Sequence, residues 1–262
     1  MLDPITKAGY ELAFEDRFDR PELDPSCWLP YYLPQWSSRE QAAARYAVGD
    51  SALRLRIEAD QQPWCPEFDG DVRVSSLQTG VFSGPVGSTI GQHRFSESVV
   101  VREAHDERRL YTPHYGVVEL RAKALDDPNA MVALWMIGFE DEPERSAEIC
   151  VCETFGREVE PNRALVGMGV HPFGDPRIVD DFEKIRVDVD VREFHVYTAE
   201  WTPDYVAFFV DGKRAKLAEQ SPAYPMQLML GIYEFGRDEA SDAYPKEFVV
   251  DYVRGYRRPH GD

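Results

Sequence analysis

Alternation of apolar and polar residues is the dominant pattern in this 262-residue chain. It is clearest at residues 52–58, 119–123 and 187–191. Successive side chains of a β-strand point to opposite faces, so a period of two predicts half-buried strands. Helical periodicity is nearly absent, and only residues 39–45 suggest a short turn or helix. Many strands joined by Asp, Gly and Pro turns favour an all-β protein, either a two-sheet sandwich or a barrel.

Composition predicts one domain over residues 1–262, because no Pro/Gly/Ser-rich linker, repeat or low-complexity tract divides the chain. Hydrophobic residues make up 43% of the chain, which supplies a sizeable core. The formal net charge of −18 is spread along the sequence. It argues against nucleic acid and anionic membrane as partners, since both attract basic surfaces. A neutral polymer is compatible with this charge.

Targeting signals are not visible in the sequence. No stretch approaches the roughly 20 apolar residues of a membrane span. The N-terminus lacks a basic region followed by an apolar segment, which predicts a cytoplasmic protein, or a secreted one if a leader has been removed. The four cysteines do not decide between these, because Cys27 and Cys65 can pair only if the fold brings them together. No histidine pattern with ligand spacing supports a zinc site.

Two glutamates, Glu148 and Glu153, lie five positions apart in an otherwise apolar, strand-like run. Residues five apart in a regular strand point to opposite faces, but one bulged residue between them would turn both to the same face. A close pair of carboxyl groups is what retaining glycoside hydrolysis requires, because one attacks the sugar while the other protonates the leaving oxygen. The alternative is a strand whose two glutamates point to solvent on different faces.

The run matches the pattern Glu-x-Asp-x-x-Glu at Glu148, Cys150 and Glu153, with cysteine in place of the aspartate. With this motif the chain resembles glycoside hydrolase family 16, the laminarinase and lichenase group of β-glucanases. The resemblance extends from Phe14 to Arg257, and further matching segments occur in the family's order. These segments are residues 115–123, 133–138, 194–204, 208–212 and 250–256.

The resemblance implies a fold and an activity. The implied fold is a jelly-roll β-sandwich of two antiparallel sheets, concanavalin A-like, whose concave sheet forms the substrate cleft. The implied activity is that of a retaining endo-β-glucanase acting on β-1,3-linked or mixed-linkage glucan, with transglycosylation as a variant outcome. Glu148 would be the nucleophile and Glu153 the acid/base, and the mechanism requires no cofactor. The partner would be a polysaccharide or oligosaccharide.

Cys150 is the main departure from the family motif. An ordinary thiol is neutral at pH 7 and a weak hydrogen-bond partner, whereas an aspartate would couple to both glutamates. Without that negative charge, Glu153 would hold its proton less firmly. The departure motivates a second hypothesis, a lectin-like carbohydrate-binding protein on the same fold with little or no turnover. Retention of both glutamates favours the enzyme, because a lectin has no chemical need for the pair.

The resemblance also implies substrate contacts. Trp135 matches a tryptophan that stacks on a sugar ring, although a core tryptophan is the alternative. His171 matches a histidine that reaches the cleft, although a structural role is equally compatible. Trp36 and Ser38 lie where many laminarinases contact sugar, in a loop region whose aromatic residues either wall the cleft or pack on the edge of the sandwich. Those loop aromatics are Tyr31, Tyr32, Trp36 and Trp64.

Several polar positions of the family are altered. Serines replace an asparagine in residues 34–40, Val117 replaces an arginine and Gly231 replaces an asparagine on a late strand. These changes weaken the expectation that ordinary laminarin is the substrate. Asp251 matches an aspartate that helps to bind a structural calcium in family members, but calcium takes six to eight oxygen ligands and one carboxylate does not establish the site.

Overall fold

The structure is a computed structural model that describes residues 7–236 and 243–259. It contains one short helix, α1 (Pro66–Asp69), and two 3₁₀ turns, Pro34–Trp36 and Gly156–Glu158. The strands, in chain order, are β1 (Glu11–Asp16), β2 (Arg45–Gly49), β3 (Ala52–Ile57), β4 (Val72–Gln78), β5 (Gly80–Val81), β6 (Arg108–Arg109), β7 (Gly116–Lys123), β8 (Ala130–Gly138), β9 (Glu148–Phe155), β10 (Val159–Glu160), β11 (Arg163–His171), β12 (Asp181–Val187), β13 (His195–Trp201), β14 (Val206–Val210), β15 (Lys213–Ala218), β16 (Met226–Phe235) and β17 (Lys246–Arg257).

Two large antiparallel sheets form the molecule. The first has the order β15-β14-β13-β7-β17-β3-β2, with β1 also paired to β17. The second has the order β10-β11-β9-β8-β16-β4, with β12 also paired to β11. Strands distant in sequence are neighbours in both sheets, as in a jelly roll. The prediction of an all-β jelly-roll sandwich is confirmed, and a closed barrel is ruled out because the two sheets remain separate.

Two of the three alternating segments are strands, as the sequence predicted: residues 52–57 form β3 and residues 116–123 form β7. The prediction for residues 187–191 is wrong, because β12 ends at Val187. Asp190 accepts hydrogen bonds from the backbone and the guanidinium of Arg192, at 3.1 and 2.8 Å, which closes a turn there. Val191 is buried in the main core. Its apolar side chain therefore belongs to a loop that packs into the core, and not to a strand.

The main core lies between the sheets and draws on every long strand. Leu55, Leu120 and Phe208 of the first sheet face Val151 and Leu230 of the second in one cluster of buried residues. Burial of this apolar surface is the principal stabilising contribution to the fold.

A second apolar cluster covers the opposite face of the second sheet. Strand residues Ala133, Trp135 and Tyr233 contribute to it, and Trp36 and Trp64 join it from the loops. The loops over this face are thus anchored by their own small core.

All four cysteines are free, so Cys27 and Cys65 do not pair. Within residues 7–236 and 243–259, no helix is long and apolar enough to cross a membrane. Residues 1–6, part of the N-terminus considered above for a leader, lie outside the described residues.

Candidate active site

A single bulge in β9 brings the two glutamates to one face of the second sheet. Cys150 pairs with Gly169 of β11 and Glu153 with Gly167, so three steps along β9 match two along its partner. The pairing of β9 with β8 shifts at the same point. Val151 and Cys152 consequently both face the main core. The bulge inferred from the sequence is confirmed, with its expected consequence that Glu148, Cys150 and Glu153 line one pocket.

That pocket has a volume of about 280 Å³. Residues from the second sheet form its floor, and side chains from the loops form its walls. Its lining comprises Tyr32, Asp69, Val72, His93, Met131, Ala133, Trp135, Glu148, Cys150, Glu153, His171, Phe173, Tyr233 and Phe235. A more voluminous pocket of about 690 Å³ lies around Tyr111 and Trp201, but no carboxylate side chain lines it. The smaller pocket, which both glutamates line, is therefore the candidate active site.

Both glutamates are half-buried, and both carboxyl groups resist ionisation. Burial, and next the charge of Glu153, raise the pKa of Glu148 to about 8. Burial also raises the pKa of Glu153, but the charge of Lys184 opposes that shift. Glu148, whose only charged neighbour of note is another carboxylate, is the more strongly affected. At neutral pH the substrate-free pair therefore retains a proton, and Glu148 is the better site for it.

Cys150 lies between the two glutamates, as the motif predicted. Burial, followed by the charges of Glu148 and Glu153, raises the pKa of the Cys150 thiol well above its usual range. The group is therefore a neutral thiol and not a thiolate nucleophile. Its Sγ atom lies 3.7 Å from the carbonyl oxygen of Gly167, a weak hydrogen bond at most. A small neutral thiol thus occupies the position at which the family motif has an aspartate.

Trp135 and His171 both line the pocket. Trp135 is only 6% exposed, and its indole N–H donates to the hydroxyl of Tyr233 at 3.0 Å. The ring combines a core position with contact to the cavity, and stacking on sugar stays a prediction. His171 is opposite Glu148 in the pairing of β11 with β9, and its Nδ1 atom lies 2.7 Å from a carboxylate oxygen of Asp180.

Trp36 and Ser38 are not among the residues that line the pocket; the burial of Trp36 contradicts its prediction as a sugar contact, whereas that for Ser38 stays a prediction. Trp36 is fully buried in the second cluster, and its indole N–H donates to the carbonyl oxygen of Gln92 at 2.8 Å. The Ser38 hydroxyl accepts the backbone N–H of Gln41 at 3.0 Å and so stabilises a turn. Val117 lies on β7 of the first sheet, away from the pocket, so its difference from the family does not concern this site.

Gly231 has a direct steric explanation. A Cβ atom at this position would lie 2.8 Å from the Tyr233 hydroxyl and 2.9 Å from its ring, closer than such atoms approach. Tyr233 therefore occupies the place where an asparagine side chain would start. Two residues apart on one strand face the same way, so Tyr233 could have been inferred from the sequence once Gly231 was noted.

Other pocket residues gave no such signal. His93 and Phe173 reach the pocket from loops, and Asp69 reaches it from the end of the short helix α1, so no periodicity predicts their direction. Burial, with a contribution from His171, lowers the pKa of His93 to about 4, so its imidazole is neutral. Asp69 accepts the indole N–H of Trp64 at 2.6 Å.

The calcium prediction at Asp251 does not fit its surroundings. Asp251 forms an ion pair with Arg121, so a dication would have to displace a guanidinium that already neutralises the carboxylate. In the part of the chain that the structure describes, no group of three or more His, Cys, Asp or Glu side chains is arranged to hold a metal ion.

Comparisons with known proteins point to one family. The sequence model of Glycosyl hydrolases family 16 matches residues 110–254. A β-glucanase of Rhodothermus marinus is 26% identical over 176 residues, which cover 55% of this chain and 57% of that protein. Glucan endo-1,3-beta-glucosidase A1 of Niallia circulans is 23% identical over 95% of this chain and 38% of its own length. The chain thus spans 57% and 38% of the length of these two relatives.

A solved structure extends the comparison to nearly the whole chain. The GlcNAcα1-4Gal releasing endo-β-galactosidase from Clostridium perfringens superimposes with a TM-score of 0.82 at 30% identity. The match covers 99% of this chain and 66% of that one.

Proposed function

Because this chain belongs to glycoside hydrolase family 16, we propose that it is a retaining endo-β-glycosidase that cleaves a β-linked polysaccharide. One observation carries the proposal: the bulge in β9 directs Glu148 and Glu153 into one pocket. Both carboxyl groups are desolvated and have raised pKa values. Perturbed titratable pairs of this kind are characteristic of catalytic sites.

In the proposed cycle Glu148 attacks the anomeric carbon while Glu153 protonates the departing glycosidic oxygen. A glycosyl–enzyme ester forms on Glu148. Glu153, now ionised, removes a proton from water, which attacks the same carbon and releases the sugar with its original configuration. Because Glu148 must be ionised to attack, the proton that the substrate-free pair holds mainly on Glu148 must move to Glu153 when substrate binds.

Glucan is the first candidate substrate, with β-1,3 or mixed linkages. The two glucanase relatives support it. A β-galactoside is the second candidate, because the endo-β-galactosidase is similar over nearly the whole chain. The replacement of the family's asparagine by Gly231, with Tyr233 in its space, also favours a substrate other than ordinary laminarin.

The substrate proposal is tested by incubating the protein with laminarin, barley mixed-linkage glucan and a β-linked galactan. We expect new reducing ends on one of these polymers, and a first-formed product with the β-configuration by proton NMR. An α-anomer would contradict the retaining mechanism. Binding of a polymer without release of reducing ends would support the lectin alternative.

The roles of the two glutamates are tested by chemical rescue. Each of Glu148→Ala and Glu153→Ala should lower kcat on an activated aryl glycoside by at least about 10²-fold. Added azide should then give the α-glycosyl azide with Glu148→Ala, because it enters from the nucleophile's face, and the β-glycosyl azide with Glu153→Ala. The opposite assignment of products would show that the roles are exchanged.

A further inference from the structure

A second pocket adjoins the catalytic one at its Glu148 end. It has a volume of about 400 Å³, within the range of small-ligand sites. His93 and Phe173 line both pockets, so the two cavities share a wall. Beyond that wall the second pocket is lined by Glu140, Ser146 and Ile90, among others.

Three loops present strained residues to this pocket. His93, Glu140 and Phe173 all have left-handed backbone conformations, with φ values of 49°, 57° and 44°. Non-glycine residues adopt this region at an energetic cost, and such residues cluster where a particular side-chain placement serves a function. Here residues from three separate loops adopt this conformation around a single cavity.

Glu140 supplies an unusual polar group. Its carboxyl accepts the backbone N–H of His93, and among the described residues no cation pairs with it. Burial raises the pKa of Glu140 to about 8, so the group is predominantly protonated at neutral pH. A neutral carboxyl both donates and accepts hydrogen bonds, whereas a carboxylate only accepts them.

The rest of the lining combines the polar side chains of Thr89, Arg94 and Ser146 with large apolar groups that are partly open to solvent. Phe173 and Ile90 are each 52% exposed, which is high for large apolar side chains. An exposed aromatic ring next to a group that both donates and accepts suits a sugar, whose ring has apolar C–H faces and a rim of hydroxyls.

We propose that this second pocket is a saccharide subsite, which holds a sugar unit attached to the unit in the catalytic pocket. Glu140 hydrogen-bonds the hydroxyls of that unit and Phe173 packs against its ring. The inference rests on the proposed glycosidase function and adds the residues that select substrates by length and by the identity of the added unit.

The test compares oligosaccharides of increasing length from whichever β-linked series the wild-type protein cleaves. The wild type should gain in kcat/KM at the length that first fills the second pocket. In Glu140→Ala the gain in kcat/KM with length should be about tenfold smaller, which corresponds to the loss of one or two hydrogen bonds. Glu140→Gln should keep most of it, because an amide also donates and accepts.

Glu142→Ala is the matched control. Glu142 lies two residues away, pairs with Arg145 at 2.7 Å and does not line the pocket. It should leave the length dependence unchanged. A damaged loop in Glu140→Ala would lower kcat/KM for all lengths equally, so the ratio between lengths separates that effect from a lost subsite.

The possible failures are distinguishable. If the wild type cleaves the series and Glu140→Ala keeps the full gain with length, the subsite is wrong and the proposed function stands. If Glu140→Gln behaves like Glu140→Ala, hydrogen bonding by a neutral carboxyl is not the cause. If the wild type cleaves no β-linked polymer, the proposed function fails and the subsite fails with it.

Discussion

Two regions of the second sheet place a glutamate in opposite surroundings. Glu234 is fully buried, and its carboxylate lies 2.7 Å from the ammonium group of Lys246 and 3.4 Å from the guanidinium of Arg73. The Tyr244 hydroxyl also donates to it at 2.7 Å. Glu148 lies in the pocket on the same sheet, yet within the described residues no cation or hydrogen-bond donor contacts its carboxyl.

The difference separates a structural carboxylate from a reactive one. Charges surrounded by compensating groups hold elements together, because each partner neutralises the other. A carboxyl without partners resists ionisation and can exchange a proton near neutral pH. The second sheet contains both kinds, so burial of a glutamate does not by itself identify a catalytic group.

Removal of a partner from the structural network should give the largest effect on stability. Lys246→Met would leave Glu234 and Asp127 without the ammonium group that bridges them at 2.7 and 2.9 Å. We expect the free energy of unfolding to fall by about 3–5 kcal/mol, as when a buried pair loses one member. Urea denaturation measures this loss.

Arg163→Met is the control for this experiment, because Arg163 and Glu160 form an exposed pair. Such pairs contribute little to stability. A loss for Lys246→Met no greater than for Arg163→Met would mean that the buried network is not structural, and the contrast with Glu148 would disappear.

Cys150→Asp should change the pH dependence of catalysis. A new carboxylate between Glu148 and Glu153 makes ionisation of both harder, so the alkaline limb of the pH–activity profile should move to higher pH. The absolute rate depends on how well the site solvates the added charge. Cys150→Asn is the neutral control of the same shape and should leave the limb in place. A coincident profile for the folded, active Asp and Asn variants would show that position 150 does not couple to the catalytic pair.

Glu148→Gln should give the smallest effect, a gain in stability that appears only at high pH. The pKa of Glu148 is about 8 in the folded protein, against a usual value of 4.5, so the folded state holds this proton more tightly than the unfolded chain. Stability from that proton is complete below pH 4.5 and is lost as the pH rises through 8.

Glutamine cannot ionise and avoids this loss. The Tm of Glu148→Gln should therefore exceed that of the wild type by more at pH 9 than at pH 5, by at least about 2–4 °C. Glu22→Gln, at an exposed position, should show no such change. An equal difference at both pH values would mean that Glu148 ionises freely and resembles an ordinary surface carboxylate.

Much of the fold was predictable because strand alternation is a local property. The alternating residues 52–57 and 119–123 lie in strands, and the apolar content predicted a sizeable core. The meeting of the two glutamates on one face was predictable from strand geometry, because one bulge between Glu148 and Glu153 suffices to turn both the same way. Residues 187–191 show the limit, since a loop that plugs the core can alternate as a strand does.

Tertiary structure alone decided where the side chains of the loops lie. Trp36 and Ser38 match sugar-contact positions of the family. In the structure the Trp36 ring is buried in the second apolar cluster, and the Ser38 hydroxyl accepts a hydrogen bond within a local turn. His93 and Phe173 carry no pattern that predicts their convergence on the pocket. The sequence by itself determined which face of β9 bears the glutamates, because that depends on neighbours along the strand. Loop direction and proton affinity depend instead on contacts between residues far apart in the chain, and only the folded protein specifies those contacts.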